Sequence, residues 1–394
     1  MAKFRVLSLD GGGSWALIQV MALIDLYSPN TTGHQVLRDF DLAAANSGGS
    51  IVLGGLVEDM PLSELLAFFL SLPKRQSIFK ERPIHVPGVG KYLTEQKLIG
   101  LKAALPNRGS MLLPNAAADI FSSSTGEPVH LLIIGFDYDR RSARFFRSAP
   151  ASAPEWGDGD SAQVQLVEAI HASTNAPVEF FDKPAQFPSE PGKRYWDGAI
   201  SGCNNPVLAG VAEAVVLGQP PTSIAALSLG TGSVCCPQLP AGVAPSALFA
   251  PAGNPGLLHD VKEISAAIID DPPDAASFLA HVLTGGCPSV PDSPSLSNPV
   301  DSRIVRMSPL VSPVRDESGN WALPTGLDEK AFASIANLAM DAVAQSEVVQ
   351  IQNLAELWLQ DEVRNQPVRM NSKLYAELGQ DLYSQAKSAW LAVR

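Results

Sequence analysis

The chain has 394 residues, 46% of them hydrophobic, and carries 28 Lys and Arg against 40 Asp and Glu, a formal net charge of −12. That apolar content suffices for a sizeable core, and the acidic balance argues against broad nucleic-acid binding, which needs a basic face. No stretch of about 18 uninterrupted apolar residues is present, so no spanning helix is expected, and no leader-like segment precedes the first strand pattern.

Residues 4–9 read as a buried strand that runs directly into Gly11, Gly12 and Gly13. Leu17, Val20, Met21, Ile24 and Tyr27 then fall at helical spacing, and Pro29 closes the segment. "FDLAAANSGGSIVLGGL" repeats the theme: a strand, a small-residue turn at Asn46 to Gly49, and a glycine-rich helix. Leu62 to Leu72 predicts a further helix closed by Pro73. "VHLLIIGFDYD" and "SARFFRS" predict two strands joined by a polar turn, residues 163–174 a helix, and "YWDGAI" and "SIAALSLGTG" two more strands. From about 235 to 330 the chain is rich in Pro, Ser and Gly, as in long surface connections. Helical periodicity returns over 329–359, with Asp328 placed to cap it, and over 373–391. Strands alternating with helices predict an α/β fold with a mostly parallel sheet covered on both faces. Cys203, Cys235, Cys236 and Cys287 show no metal spacing, and they read as small core residues in a reducing cytoplasm.

Ala45 to Gly49, "ANSGG", lies at a strand-to-helix junction. A serine exposed on such a sharp turn needs small residues two positions either side, and the helix start behind it favours developing negative charge. The pattern is a nucleophile elbow with Ala45 in place of the first glycine, and it puts Ser47 forward as a nucleophile. A glycine-rich helix start chosen only for close packing would look much the same. A serine nucleophile needs a base and an oxyanion hole. None of the six histidines, His34, His85, His130, His171, His259 and His281, lies in a recognisable motif, and His171 reads as a packed helix residue. Asp197 offers itself instead, just past a strand and followed by the small residues Gly198 and Ala199. A partly desolvated carboxylate can take a serine's proton, though an Asp-Gly turn is common.

Together "DGGG" at 10–13, "ANSGG" at 45–49 and "DGA" at 197–199 resemble the patatin-like phospholipases, in order and in spacing. "HASTNAPVEFF" at 171–181, "NNP" at 204–206 and "SLGTG" at 228–232 support the likeness. The resemblance implies a three-layer α/β/α sandwich, plus C-terminal helices. It implies Ser47 as nucleophile, Asp197 as its only side-chain partner in a Ser–Asp dyad, and the N–H groups of Gly11, Gly12 and Gly13 as the oxyanion hole. The reaction implied is hydrolysis of lipid or phospholipid acyl esters through an acyl-enzyme. The sequence shows no calcium-ligand pattern, so no metal and no cofactor are expected. The expected layout is a catalytic domain over 1–345, with its motif-bearing core at 4–235 and a loop-rich part at 236–328, and a helical extension over 346–394 packed on it. Besides Ala45, the chain departs from the family pattern at Trp15, where a basic residue is usual, and at Ala16, where glycine is usual. Trp15 would then offer apolar surface beside the loop.

Other readings stay open at this level. Gly11 to Ala16 also fits a dinucleotide fingerprint, G-x-G-x-x-A, but Asp10 would repel a pyrophosphate and no acidic residue follows the next strand at the right distance. An actin-like sugar-kinase fold would need a hairpin where Leu17 to Tyr27 has helical spacing. A catalytically silent lipid-binding protein on the same fold is the third. For lipid approach, Lys74, Arg75, Lys80 and Arg82 surround Ile78 and Phe79, a segment suited to an anionic membrane surface. A solvated surface connector would have the same composition. The cysteines set the expectation of a cytoplasmic protein, with peripheral membrane contact left open.

Overall fold

Short apolar runs build the centre of the molecule. In the computed structural model, which describes residues 4–84, 90–148, 161–232, 234, 236–239, 242–250, 273–286, 302–316, 318–370 and 376–393, Phe4–Leu9 (β1) and Leu42–Asn46 (β2) pair in parallel. His130–Asp137 (β3) joins β2 in parallel, and Ser142–Arg147 (β4) joins β3 antiparallel. Tyr195–Asp197 (β5) is a second antiparallel neighbour of β3. On the other side of β1 lie Ile224–Leu229 (β6) and Ile304–Met307 (β7), both parallel. The sheet has seven strands in the order β4-β3-β2-β1-β6-β7, with β5 off that path.

Successive strand residues point to opposite faces, and each face is covered. Leu7, Leu9, Ala43, Ala45, Ile133 and Leu227 belong to one apolar cluster. It is filled by helices Leu17–Tyr27 (α1), Ser47–Val57 (α2), Leu62–Leu70 (α3) and Leu166–Ser173. Val6, Leu42, Ala44, Leu132 and Ile134 belong to a second cluster, closed by Val207–Val216 and Pro273–Leu283. The result is a three-layer α/β/α sandwich. Helices Gln345–Leu359 and Tyr383–Val393 add Trp358 and Trp390 to the first cluster, and the Trp390 ring stacks on Phe40 at 5.5 Å.

Several expectations change. Pro73 does not close a helix. Helix α3 ends at Leu70, and Pro73 sits in the first turn of the next helix, Leu72–Ile78 (α4), where a missing N–H costs nothing. The stretch expected to be surface connections supplies the outermost parallel strand, β7, because a four-residue run is too short to register as periodic. The helix expected over 329–359 is two, Glu329–Ala336 and Gln345–Leu359, with Asp328 capping the first through the Ala331 N–H at 2.7 Å. In 373–391 the helix starts only at Tyr383, and Ala376–Leu378 is a strand. Helix Thr94–Ala104 (α5), which enters the site below, carried no usable periodicity. Cys203 and Cys236 are half-buried rather than core residues, whereas Cys235 and Cys287, like His85 and His259, lie outside the described residues. Among the described residues no helix is long and apolar enough to cross a membrane.

Candidate active site

The site forms at the carboxyl ends of β1 and β2, where a sheet of this kind opens a crevice. Strand β2 ends at Asn46 and helix α2 starts at Ser47, so the chain must reverse within one residue. Ser47 absorbs that reversal with φ 47, a left-handed conformation rare for a residue with a side chain. Its N–H donates to Ser173 Oγ at 2.9 Å. The small neighbours have unequal jobs. A Cβ on Gly49 would meet the backbone of Leu9 and Asp10, so only glycine fits there. Ala45 is a strand residue whose methyl lies in the core, which explains why alanine is tolerated at this end of the elbow.

Asp197 reaches Ser47 by strand register. On β3, Asn46 pairs with Ile134 and Asp197 with the next residue, Gly135. The opposite edge of β3 is occupied by β4 over the same residues. Strand β5 therefore runs head-on toward the end of β2 in the same lane, and its last residue stops beside the elbow. Asp197 is 2% exposed. Its Oδ1 accepts from the Ala199 N–H at 2.9 Å and from Asn46 Nδ2 at 3.1 Å. Burial raises its carboxyl above the ordinary value, and the Ala199 N–H, the Ser47 hydroxyl, the Asn46 amide and the charge of Lys97 oppose the rise. Gly198 lies against the Asn46 side chain and the Ile134 carbonyl. Behind β5, the Asp197 N–H donates to the Asn175 carbonyl at 3.0 Å, which gives "HASTNAP" its place. His171 is buried, and burial, followed by the charges of Lys97 and Lys102, pushes its imidazole well below the usual value. Among the described residues it makes no hydrogen bond to Ser47 or Asp197.

The glycine loop crosses in front of α2, and its three members differ. The Gly11 N–H donates to the Asn204 carbonyl at 2.9 Å, so Gly11 is not available as an oxyanion donor, contrary to expectation. Asn204 belongs to "NNP", which ties this loop down. Among the described residues the Gly12 and Gly13 N–H groups have no intramolecular partner. Gly13 has φ 55, and a Cβ on Gly48 would sit 2.7 Å from the Gly13 nitrogen, so the loop abuts the first turn of α2.

Asp10 and Arg306 hold the loop from beneath as a buried pair at 2.6 Å, each 2% exposed, and Arg306 also donates to Ser228 Oγ at 2.8 Å. Burial raises the Asp10 carboxyl to about 6, with Arg306 pulling it back. The expected repulsion between Asp10 and a pyrophosphate therefore falls away, since this carboxylate faces its own cation. What stands against a phosphate cradle is packing: Thr231, Asn204 and Met340 press on Gly11 to Gly13. Arg306→Met is expected to cost about 3–5 kcal/mol, because it strands a buried carboxylate. Equilibrium denaturation checks this, and an unchanged midpoint would contradict it.

A narrow pocket lies over Ser47, lined by Ile51, Ile78, Phe79, Phe181 and Met340, with Asp341 at its edge. Here the basic segment departs from expectation. Arg75 is buried and donates to Phe69 O at 2.6 Å, Val343 O at 3.1 Å and Gln345 Oε1 at 2.9 Å. Ile78 is buried, and Phe79 packs its ring on Tyr92 and Phe181 at 5.2 and 6.1 Å. Helix α4 thus turns its apolar side and one arginine inward, and only Lys74 and Lys80 are fully at the surface, with Arg82 half-buried. Trp15 likewise offers no surface to the site: it is 5% exposed and its Nε1–H donates to Ala339 O at 3.2 Å. With the Ser14 N–H to Met340 O bond at 3.1 Å, it straps residues 339–341 over the glycine loop. Ala16 is fully buried.

The family model described as patatin-like phospholipase matches residues 7–211. A protein of Caenorhabditis elegans described as an intracellular phospholipase A2 is 28% identical over 207 residues, 52% of this chain and 16% of that protein. The chain thus spans about a sixth of the length of that relative. Among solved structures, VipD from Legionella pneumophila is similar with a TM-score of 0.35 and 10% identity, over 90% of this chain and 67% of that one.

Proposed function

The chain belongs to the patatin-like phospholipase family, and on that premise we propose that it is a lipid acyl hydrolase working through a Ser47–Asp197 dyad. The observation that carries the proposal is the meeting of a strained serine and a buried carboxylate at the end of one sheet lane. In this reading Ser47 Oγ attacks the ester carbonyl carbon and its proton passes to Asp197. The carbonyl oxygen becomes an oxyanion held by the Gly12 and Gly13 N–H groups and the first turn of α2. Collapse breaks the ester C–O bond, and Asp197 returns the proton to the departing alcohol. Water, deprotonated by Asp197, then attacks the acyl-Ser47 and releases the fatty acid. The apolar side chains around Ser47 match an acyl chain in chemistry, and the substrate is an acyl ester of a phospholipid or other lipid. Two surface lysines, Lys74 and Lys80, are left to meet an anionic membrane.

A fluorophosphonate probe tests the nucleophile: the labelled peptide should contain Ser47, and labelling elsewhere alone would refute the assignment. The oxyanion donors are tested by Gly13→Ala. A methyl there sits 2.5 Å from the Met340 carbonyl oxygen on a backbone at φ 55. Displacing the loop should lower kcat by roughly 10²–10³-fold, leave KM little changed, and still permit slow phosphonylation of Ser47. A folded variant with normal kcat would remove the loop from the mechanism.

A further inference from the structure

Helix α5 buries a lysine completely. Lys97 is 0% exposed, an arrangement almost never seen unless the charge is matched. Its Nζ donates to His171 O at 2.8 Å and to Asn175 Oδ1 at 2.9 Å, and it lies 4.2 Å from the centre of the Phe181 ring. Two carbonyl oxygens and a π face are three acceptors, the complement of the three N–H groups of an ammonium. A neutral amine would turn a lone pair on one of them.

We propose that Lys97 is a buried ammonium that serves as the counter-charge and positioning residue of Asp197. Two routes connect them. The Asn175 amide held by Lys97 belongs to the residue whose carbonyl receives the Asp197 N–H at 3.0 Å. The same Asn175 donates through Nδ2 to Lys183 O at 2.9 Å, so its orientation is set from both ends. The second route is charge. Asp197 is the one carboxylate acting on Lys97, and Lys97 the one cation acting on Asp197, among the described residues. Burial pushes the Lys97 ammonium well below its usual value and Asp197 opposes that, so each ion supports the other.

The surrounding titratable groups are otherwise engaged. His171 is held neutral, and Lys102 acts on His171. Glu168 accepts from the Gln165 N–H and Ser189, Asp182 accepts the Thr94 N–H at the start of α5, and Asp137 accepts the Asp139 and Arg140 N–H groups. Tyr195 donates to Glu190, which also pairs with Arg144. Lys97 therefore lowers, together with the Ala199, Ser47 and Asn46 donors, the pH above which Asp197 is a carboxylate able to take the Ser47 proton.

This role rests on the dyad proposed above, and its test separates the two. The pH dependence of kcat/KM for a soluble p-nitrophenyl ester is measured for the wild type, Lys97→Gln and Lys97→Met. Loss of the cation should move the acid limb upward, with a loss of about twofold or more on that limb that is recovered at higher pH and KM nearly unchanged. Gln keeps two donors without the charge, so a wild-type limb in a folded Lys97→Gln protein overturns the proposal. So does a uniform fall in kcat with no movement of the limb, which is what a packing role would give. The ¹⁵N spectrum of lysine-labelled wild-type protein reads the same point without a variant: Lys97 as ammonium at neutral pH supports the proposal, and a neutral amine overturns it. Full turnover by Asp197→Asn would refute the dyad itself, and this role of Lys97 with it.

Discussion

Ser47→Ala is expected to lower turnover of an activated ester by about 10⁴-fold or more while leaving the protein folded. The size follows from covalent catalysis. Without Oγ no acyl-enzyme forms, and water must attack the carbonyl directly, assisted only by the pocket and the oxyanion donors. The fold should survive because the alanine keeps the Cβ and the φ 47 backbone, and the N–H bond to Ser173 Oγ is unaffected. The lost hydroxyl leaves Asp197 with its Ala199 and Asn46 donors. Circular dichroism and a denaturation midpoint check the fold, and steady-state kinetics the rate. Wild-type turnover by a folded Ser47→Ala protein would end the serine assignment.

Asp197→Asn should lose nearly as much, because nucleophile and base act as one unit and losing either removes the step both perform. The substitution is close to isosteric. Its carbonyl oxygen can keep the Ala199 bond, but an amide cannot take the serine proton. Among the described residues no histidine hydrogen-bonds it: His171 is buried, and its imidazole is pushed well below the usual value. His171→Ala should therefore cost little in kcat. An inactive but folded His171→Ala beside an active Asp197→Asn would replace the dyad with a histidine-based mechanism.

The parts of this site that were legible in the sequence are those made by neighbours along the chain. A strand, a turn and a helix start fall within five residues around Ser47, and small residues there have one steric purpose, so the elbow, the glycine loop and the Asp-Gly-Ala turn could each be located. The same local logic recovered β1 to β4, helices α1 to α3 and the Asp328 cap, because hydrophobic period and capping chemistry act over one or two turns. The α/β class followed from their alternation.

What only the tertiary structure decided concerns groups far apart in sequence. Asp197 meets Ser47, 150 positions away, because an antiparallel β5 fills the lane that β2 vacates, and no periodicity announces a lane. Gly11 looked equivalent to Gly12 and Gly13 until Asn204 claimed its N–H. Arg75, Ile78 and Trp15 looked like surface and turned inward, since a short amphipathic segment does not say which side its partners will cover. Arg306 and Lys97 gave no signal, because a lone cation in a sequence is ordinarily solvated. Their meaning lies in desolvation: a charge removed from water must find its opposite, and which carboxylate that is depends on how the layers close over the sheet.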